Sequence, residues 1–181
     1  MITVVDFLSD TVTKTSNLVK KVIEDETIKQ TGVFYQYGHL SEIKNVLSIL
    51  SQTTQQREKK YPAILLLQDF LERKGYQQDI ETEVNLQLLI VTGSKPDYRA
   101  SERYFKIFKP ILYPIYECLM KVLKKDGRLA NGYGDIAHNK IDRPNISGFK
   151  IIVEGQTQQL FYDCLDAIEI NNLNLKIKKT C

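Results

Sequence analysis

Three carboxylates near the end of the chain have the residue types and spacing that could bind a divalent metal. Asp163, Asp166 and Glu169 lie three residues apart, so on a helix they would share one face and could hold the metal ion of a nuclease. From Ile168 onward, however, apolar and polar residues alternate, which is typical of a strand and would scatter the carboxylates. Pro96-Asp97 is similar to the start of a restriction-type nuclease motif, but no Glu-x-Lys completes it. We therefore predict no catalytic residue and no metal ligand, with a metal-dependent nuclease as the less favoured alternative.

The histidines and cysteines are too dispersed to define a reactive site. His39 and His138 are far apart in the sequence and have no neighbouring ligand pair of the kind that anchors zinc. We expect His39 at the start of a helix and His138 in a mobile loop. Cys118 falls beside the apolar stripe of a predicted helix, where cysteine is most often an inert core residue. The cysteines at 118, 164 and 181 lack C-x-x-C spacing, which favours free thiols in a reducing compartment.

A glycine-rich stretch offers a further candidate site. Asn131-Gly132-Tyr133-Gly134-Asp135 has some of the glycine spacing of a phosphate-binding loop. It lacks the Lys-Ser/Thr pair that completes such a loop, and the fuller glycine fingerprint of a dinucleotide site is absent. The stretch therefore predicts a flexible turn, and we expect no cofactor.

The strongest charge feature is the segment 95–128, which carries nine basic and four acidic residues. On a helix, five of these basic residues would form an outer basic face, namely Arg99, Arg103, Lys106, Lys121 and Lys124. Such a face is either simply solvated or faces phosphate or an acidic neighbour. No aromatic row is interleaved with it in the way that base stacking needs. A nucleic-acid-binding accessory protein that uses this helix is the first alternative function.

Composition limits the protein class. The chain has 181 residues, 43% of them hydrophobic and 26% charged, with a formal net charge of +3. These proportions are typical of one globular domain and exclude collagen, a coiled coil and wholesale disorder. The sequence contains no apolar run long enough for a membrane span and no signal-peptide pattern at its start, so we expect no membrane association. A glycosylation sequon at 145–147 leaves secretion open.

The pattern of the first hundred residues predicts two helices and three extended segments. Helical apolar spacing covers 4–26, and a second helix begins near Ser41. The short aromatic segment 32–38 favours an extended chain. The apolar run 61–70 and the alternating run 84–92 read as two strands of a hairpin, and the second of these becomes apolar on both faces. The polar stretch 71–83 between them is expected to be a long loop.

The longest helix follows, with Asp97 as its expected N-cap. At about 100° per residue one apolar stripe emerges, formed by Ala100, Tyr104, Phe108, Ile111, Ile115, Leu119 and Val122. Pro110 and Pro114 project to the outer side. A proline removes one helical hydrogen bond and bends the axis away from its ring. We therefore predict that the helix curves around a sheet and continues through both prolines.

The remaining residues predict strands and one long irregular segment. The stretch 126–148 is rich in glycine and is expected to be a functional or mobile loop. A short strand is predicted at 149–153 and a polar turn at 154–159. From Ile168 to Ile177 the alternation changes phase near Asn171, which indicates either a β-bulge or a strand buried on both sides with a bend. The chain is thus predicted to be a single α+β domain, with an antiparallel or mixed sheet of about four strands and two or three helices packed mainly on one face.

Taken in order, these elements resemble the small neck proteins of tailed bacteriophages, of the tail-terminator and head-to-tail joining type. The resemblance is one of layout and covers about three quarters of the chain. It runs from the helix at 40–50, through the strands at 61–64 and 86–92 and the arginine-bearing helix at 98–103, to 165–170 and 173–177. The long N-terminal helix departs from that layout.

The resemblance implies a non-enzymatic virion protein that is made in the host cytoplasm. Such a protein forms a homo-oligomeric ring between the portal or connector and the tail, and DNA passes through its lumen without sequence readout. A ring formed by a closing rotation needs two different adhesive surfaces on each subunit. We expect the segment 126–148 to supply one of them, with Arg128, Tyr133 and Arg143 as its anchors, because arginine and tyrosine dominate interface energetics.

Overall fold

A mixed six-stranded sheet forms the centre of the computed structural model, which describes residues 3–50, 60–68, 70–77, 80–130, 136–146, 150–153, 156–159 and 163–178. Its strands are β1 (Phe34–Gly38), β2 (Ala63–Leu67), β3 (Glu72–Gln77), β4 (Ile80–Gly93), β5 (Asn139–Arg143) and β8 (Leu165–Lys178). The order is β1-β2-β4-β8-β5, with β3 paired to β4. The β1–β2 pair is parallel and the other pairs are antiparallel. Two further strands, β6 (Lys150–Val153) and β7 (Gln156–Gln159), pair with each other in a separate small sheet.

The predicted α+β class is confirmed, but the expected number of about four sheet strands is too low. β3 occupies the stretch predicted as a long loop, and it continues the line of β2 along the same edge of β4. β5 lies within the segment 126–148, which is therefore not wholly irregular. β7 replaces the expected polar turn. These strands were missed because they are short and polar and lack the apolar alternation by which strands are recognised.

The described residues form four helices, more than the predicted two or three, and these helices cover both faces of the sheet. They are α1 (Val4–Val22), α2 (Glu26–Thr31), α3 (Leu40–Leu50) and a long helix α4, which runs without a break through Ala100–Arg103, Tyr104–Leu112 and Tyr113–Lys125. α1 and α4 pack on the larger core, beside Ile64 and Leu66 of β2. α3 packs on the opposite face with Ile43 and Leu47 against Leu65. Side chains that alternate along β2 are thus buried on both sides, which explains its continuous apolar run.

α4 continues through both prolines, as predicted, and its middle part Tyr104–Leu112 is a π-helix. Pro110 has no N–H to donate, and in an α-helix its ring would collide with the carbonyl four residues earlier. In a π-helix the hydrogen bonds join residue i to residue i−5, and this wider turn relieves the collision. The helix begins at Ala100 rather than at an Asp97 cap, and the N–H of Arg99 donates to Glu102 Oε2 at 3.1 Å.

The π-helical turns change which side chains of α4 face the sheet. Because a π-turn holds more residues than an α-turn, a stripe predicted at the α-helical period drifts off the buried face. The predicted stripe is confirmed at Phe108, Ile115 and Leu119 but is wrong at Ala100 and Tyr104, both of which are exposed. In the first half of α4 the buried positions are instead Arg103, Ile107, Phe108 and Leu112.

β8 contains the predicted β-bulge. Leu173 pairs with Leu86 and Ile170 with Leu88, so two residues of β8, Asn171 and Asn172, stand opposite one residue of β4. Asn172 adopts the left-handed backbone conformation, with φ at 55°, which asparagine tolerates better than most residues. The extra residue restores the inward phase of the leucines beyond it.

Candidate functional site

The predicted basic face is divided by the structure. Arg99, Lys106 and Lys121 are exposed and Lys124 is half-buried, whereas Arg103 is only 5% exposed. The placement of Arg103 on the outer face is therefore wrong. The first turn of α4 directs its guanidinium toward the sheet, because the π-helix that follows changes the helical phase.

Arg103 lies at the centre of a buried polar cluster. Its Nη1 donates to Asp166 Oδ1 and, at 2.8 Å, to Ser94 Oγ. Its Nη2 donates to the carbonyl of Lys95 at 2.8 Å, and its Nε to the carbonyl of Tyr98 at 3.1 Å. The guanidinium thus holds the loop that connects β4 to α4.

Asp166 completes the cluster from β8. Its side chain is fully buried. Oδ2 accepts a hydrogen bond from Ser94 Oγ at 2.7 Å, and Oδ1 accepts one from the N–H of Asn145 at 2.7 Å. The carboxylate therefore joins two loops and the helix to the sheet. A buried charge is stable only when it is paired and hydrogen-bonded. The Asp166 carboxylate meets both conditions, which suits a residue that holds neighbouring elements in position.

The three candidate metal ligands have three different cationic partners. Asp163 Oδ2 accepts from Lys60 Nζ at 2.5 Å and from the hydroxyl of Tyr61 at 3.1 Å. Asp166 pairs with Arg103. Glu169 Oε2 accepts from Arg143 Nε at 2.6 Å. Within the residues that the structure describes, no group of three or more His, Cys, Asp or Glu side chains is arranged to hold a metal ion.

Of the three expected interface anchors, two lie within the described residues and both make intrachain contacts. Arg128 Nη2 lies 2.5 Å from Asp126 Oδ2 and 2.6 Å from Asp10 Oδ2, and its guanidinium stacks 4.6 Å from the Phe7 ring centroid. Arg143 pairs with Glu169, and 38% of the Arg143 side chain is exposed. Tyr133 lies outside the described residues.

Burial and hydrogen bonding act in opposite directions on the acids of these pairs. Burial raises the pKa of Asp126, but hydrogen bonds from the Arg128 side chain and backbone outweigh it and hold that pKa below its usual range. Burial likewise raises the pKa of Glu169, and hydrogen bonds from Asn171, Arg143 and Gln87 lower it further than burial raises it. Both carboxylates are therefore held ionised at neutral pH, which favours their structural pairing.

The two histidines and Cys118 are positioned as ordinary structural residues. The carbonyl of His39 accepts the N–H groups of Glu42 and Ile43 at the start of α3, as expected. His138 Nδ1 lies 2.6 Å from the carbonyl of Ile136, to which it donates, and His138 Nε2 lies 2.7 Å from the Tyr116 hydroxyl. Burial raises the pKa of the Cys118 thiol, which makes it a poor nucleophile.

Exposed aromatic side chains lie at one end of the sheet, on the part of α4 next to β5. Tyr104 is 44% and Phe105 64% exposed, and their rings pack edge to face. Tyr104 also contacts Tyr113, whose hydroxyl donates to Asp142 of β5 at 2.7 Å. That hydrogen bond, together with burial, raises the pKa of Tyr113 to about 12. We call this area, formed by Tyr104, Phe105, Tyr113 and edge strand β5, the β5 surface.

A second aromatic area lies at the opposite edge, on β1. The rings of Tyr35 and Tyr37 are 6.1 Å apart, and Tyr37 is 44% exposed. We call these two residues and edge strand β1 the β1 surface. In the described part of the sheet, β1 and β5 are the two end strands of the main order, and each pairs with a single strand, as does β3, which pairs with β4. Sequence reasoning missed the β5 surface because Tyr104 was assigned to the buried stripe.

Comparison of the chain with protein-family models, with curated proteins and with solved structures gave no match. Among the described residues, none of the helices has the length and apolar character needed to cross a membrane.

Proposed function

We propose that this chain is a non-enzymatic structural subunit that assembles head to tail into a closed ring at the head–tail neck of a tailed bacteriophage, around the DNA channel. The portal or connector and the tail proteins would be its neighbours. The observation that carries the proposal is that both end strands of one sheet have exposed aromatic side chains beside them, Tyr37 on β1 and Tyr104 and Phe105 next to β5.

Two unlike surfaces on one subunit are what a cyclic ring requires. A head-to-tail interface joins one patch of a subunit to a different patch of the next, and it closes when the rotation between subunits divides the circle. Open sheet edges provide unpaired backbone groups that can pair with a neighbouring strand. Tyrosine supplies large contact area at interface centres. Contact of the β1 surface with the β5 surface of a neighbour would therefore continue the sheet from subunit to subunit.

The buried polar cluster supports a scaffold role. Arg103 and Asp166 use their hydrogen-bonding groups to hold two loops against the sheet. This arrangement fixes the first turn of α4. It therefore also positions Tyr104 and Phe105, which directly follow Arg103 in the helix. A nuclease has less support, since Asp163, Asp166 and Glu169 each pair with a separate cation.

The first half of α4 gives little support to the alternative of nucleic-acid binding through the outer basic face. Arg103 is not on that face, and Lys106 Nζ lies 3.0 Å from the carboxylate of Glu102. The burial of Arg103 and the pairing of Lys106 with Glu102 both reduce the positive charge that the first half of the helix offers to phosphate.

A complementation experiment tests the head-to-tail arrangement. Tyr37→Asp should disable the β1 surface and Phe105→Asp the β5 surface, and each variant alone should lose the oligomer that native mass spectrometry or cross-linking detects for the unmodified protein. An equimolar mixture retains one intact β5 surface and one intact β1 surface, so it should form a dimer and nothing larger.

Leu71→Asp is the matched control, because Leu71 is 73% exposed but lies between β2 and β3. This variant should assemble like the unmodified protein. A mixture of the Tyr37 and Phe105 variants that stays entirely monomeric would contradict a contact between these two surfaces.

A further inference from the structure

Lysines gather along the groove between α1 and the C-terminal half of α4. The groove has a volume of about 640 Å³, and four lysines line it, namely Lys14, Lys21, Lys121 and Lys125. The two helices run antiparallel there, since Lys14 lies 3.8 Å from Asp126 while Val22, at the other end of α1, lines a cleft with Pro114. The fold thus brings together positive charges that are far apart in the sequence.

The acid in this groove is already neutralised. Asp126 is 5% exposed, and its carboxylate pairs with Arg128 at 2.5 Å. Lys14 also pairs with Asp10 at 2.8 Å. Lys21, Lys121 and Lys125, in contrast, form no ion pair within the described part of the chain. Like charges in one groove repel each other, and a bound anion would relieve that repulsion.

The positive charge continues onto the other flank of α4. A second groove, of about 680 Å³, is lined by Lys121, Lys124 and Lys125, which outnumber the one acid in its lining, Glu117; Tyr116 and His138 complete its polar lining. We call Lys14, Lys21, Lys121, Lys124 and Lys125 the lysine surface. Because it extends over both flanks of the helix, it fits an extended polyanion better than a small one.

Helix dipoles account for only part of this arrangement. Lys21 lies in the last turn of α1, and Lys124 and Lys125 lie in the last turn of α4, where cations interact favourably with the helix end. Lys14 and Lys121 lie before the last turns and gain little from this effect. The lysine surface therefore exceeds what the helix ends require.

The side chains favour a duplex phosphate backbone over single strands or an acidic protein. Lysine is a mobile point charge that binds phosphates without reading sequence. Single-strand binding needs aromatic platforms, and the aromatic residue that lines these grooves, Tyr116, is half-buried with its hydroxyl bound to His138. A protein partner needs exposed apolar anchors, whereas Leu18 and Val122 in the first groove are half-buried.

We propose that the lysine surface binds the phosphate backbone of duplex DNA without sequence specificity. The inference rests on the α1–α4 grooves and is independent of ring assembly. It places the DNA contact on the C-terminal half of α4 together with α1, and not on the outer face of the first half of α4.

Fluorescence anisotropy of a labelled mixed-sequence duplex, with the full chain titrated at several salt concentrations, tests this proposal. The unmodified protein should bind at low salt with an affinity that falls as salt rises. The variant Lys21→Gln/Lys121→Gln/Lys125→Gln should bind about tenfold more weakly, with a salt slope smaller by about two to three, since each phosphate contact contributes roughly one to that slope. Its arginine counterpart, Lys21→Arg/Lys121→Arg/Lys125→Arg, should retain the affinity.

The matched control is Arg99→Gln/Lys106→Gln/Lys109→Gln, which removes the same charge from the exposed first half of α4. It should leave the affinity and the salt slope close to those of the unmodified protein. The proposal is overturned if the two glutamine variants weaken binding equally or if the unmodified protein does not bind at low salt. Displacement of the duplex by poly-glutamate at equal charge would also overturn it, in favour of an acidic protein partner.

Discussion

The guanidinium of Arg103 and the carboxylate of Asp166 form an ion pair whose side chains are 6% and 0% exposed. The pair joins the first turn of α4 to β8, and hydrogen bonds from it reach Ser94, the carbonyl of Lys95 and the N–H of Asn145. A single buried contact thus connects a helix, a strand and two loops. We regard the Arg103–Asp166 pair as the contact that contributes most to holding the elements around the β5 surface in place.

Removing one partner of this pair should destabilise the protein strongly. Arg103→Met leaves the Asp166 charge buried and unpaired, for which we expect a loss of about 3–5 kcal/mol in the free energy of unfolding. The double variant Arg103→Met/Asp166→Leu should recover part of that loss. Urea unfolding measures both, and Arg99→Met, on the exposed side of the same helix start, should change stability by less than about 0.5 kcal/mol. Equal stability of the Arg103 and Arg99 variants would contradict the structural role of the pair.

Acid should weaken the contact between Asp126 and Arg128. The pKa of Asp126 is depressed in the folded protein, so its stabilising contribution is complete above the unfolded pKa of about 3.9 and is lost as the pH falls through the lower, folded value. Asp126→Asn should therefore be less stable than the unmodified protein at pH 7, and the difference should shrink below about pH 4. Urea unfolding across this pH range checks the sign. The exposed variant Glu117→Gln is the control, and its stability at pH 7 should equal that of the unmodified protein.

The bulge at Asn172 should be sensitive to backbone conformation and not to side-chain chemistry. Because Asn172 has φ at 55° and is exposed, Asn172→Gly should leave the melting temperature nearly unchanged. Asn172→Val forces a β-branched residue into the left-handed region, and we expect a loss of about 1–2 kcal/mol. A valine variant as stable as the glycine variant would show that the bulge is not held in this conformation.

Tyr35 carries a hydroxyl that is buried without a hydrogen-bond partner among the described residues. Burial also raises the pKa of Tyr35, so the hydroxyl stays protonated. Tyr35→Phe removes an unsatisfied polar group and should leave the isolated chain equally stable or slightly more stable. Tyr61→Phe is the control, because the hydroxyl of Tyr61 donates to Asp163 at 3.1 Å, and we expect it to lose about 1 kcal/mol in thermal unfolding. Greater damage from Tyr35→Phe than from Tyr61→Phe would refute this assignment.

Strongly patterned elements could be predicted from the sequence. The change of phase near Asn171 predicted a bulge because side-chain direction alternates strictly along a strand, so that one extra residue must be absorbed somewhere. The run from Ala63 to Leu67 and the second half of β4 were recognisable because both faces of the sheet are covered there. The continuation of α4 through Pro110 could also be predicted, because the proline ring projects to the outer side of the helix.

The candidate surfaces could not be predicted in the same way. Arg103 was placed outside because a charged residue on an amphipathic helix usually faces water, and its partner Asp166 lies in a distant strand. The π-helix that exposes Tyr104 has no recognisable signal in the apolar pattern. The lysine surface depends on how α1 packs beside α4, which the sequence pattern of either helix alone does not specify. Each of these features is set by tertiary packing.

The function proposed for this chain depends on its head-to-tail assembly into a closed ring within a phage particle. It is tested most directly by native mass determination of the protein in concentrated solution and in complexes released from purified particles. We expect a closed complex that contains one fixed number of 20.9 kDa subunits. A chain that remains a monomer at high concentration and is missing from the particles would contradict it.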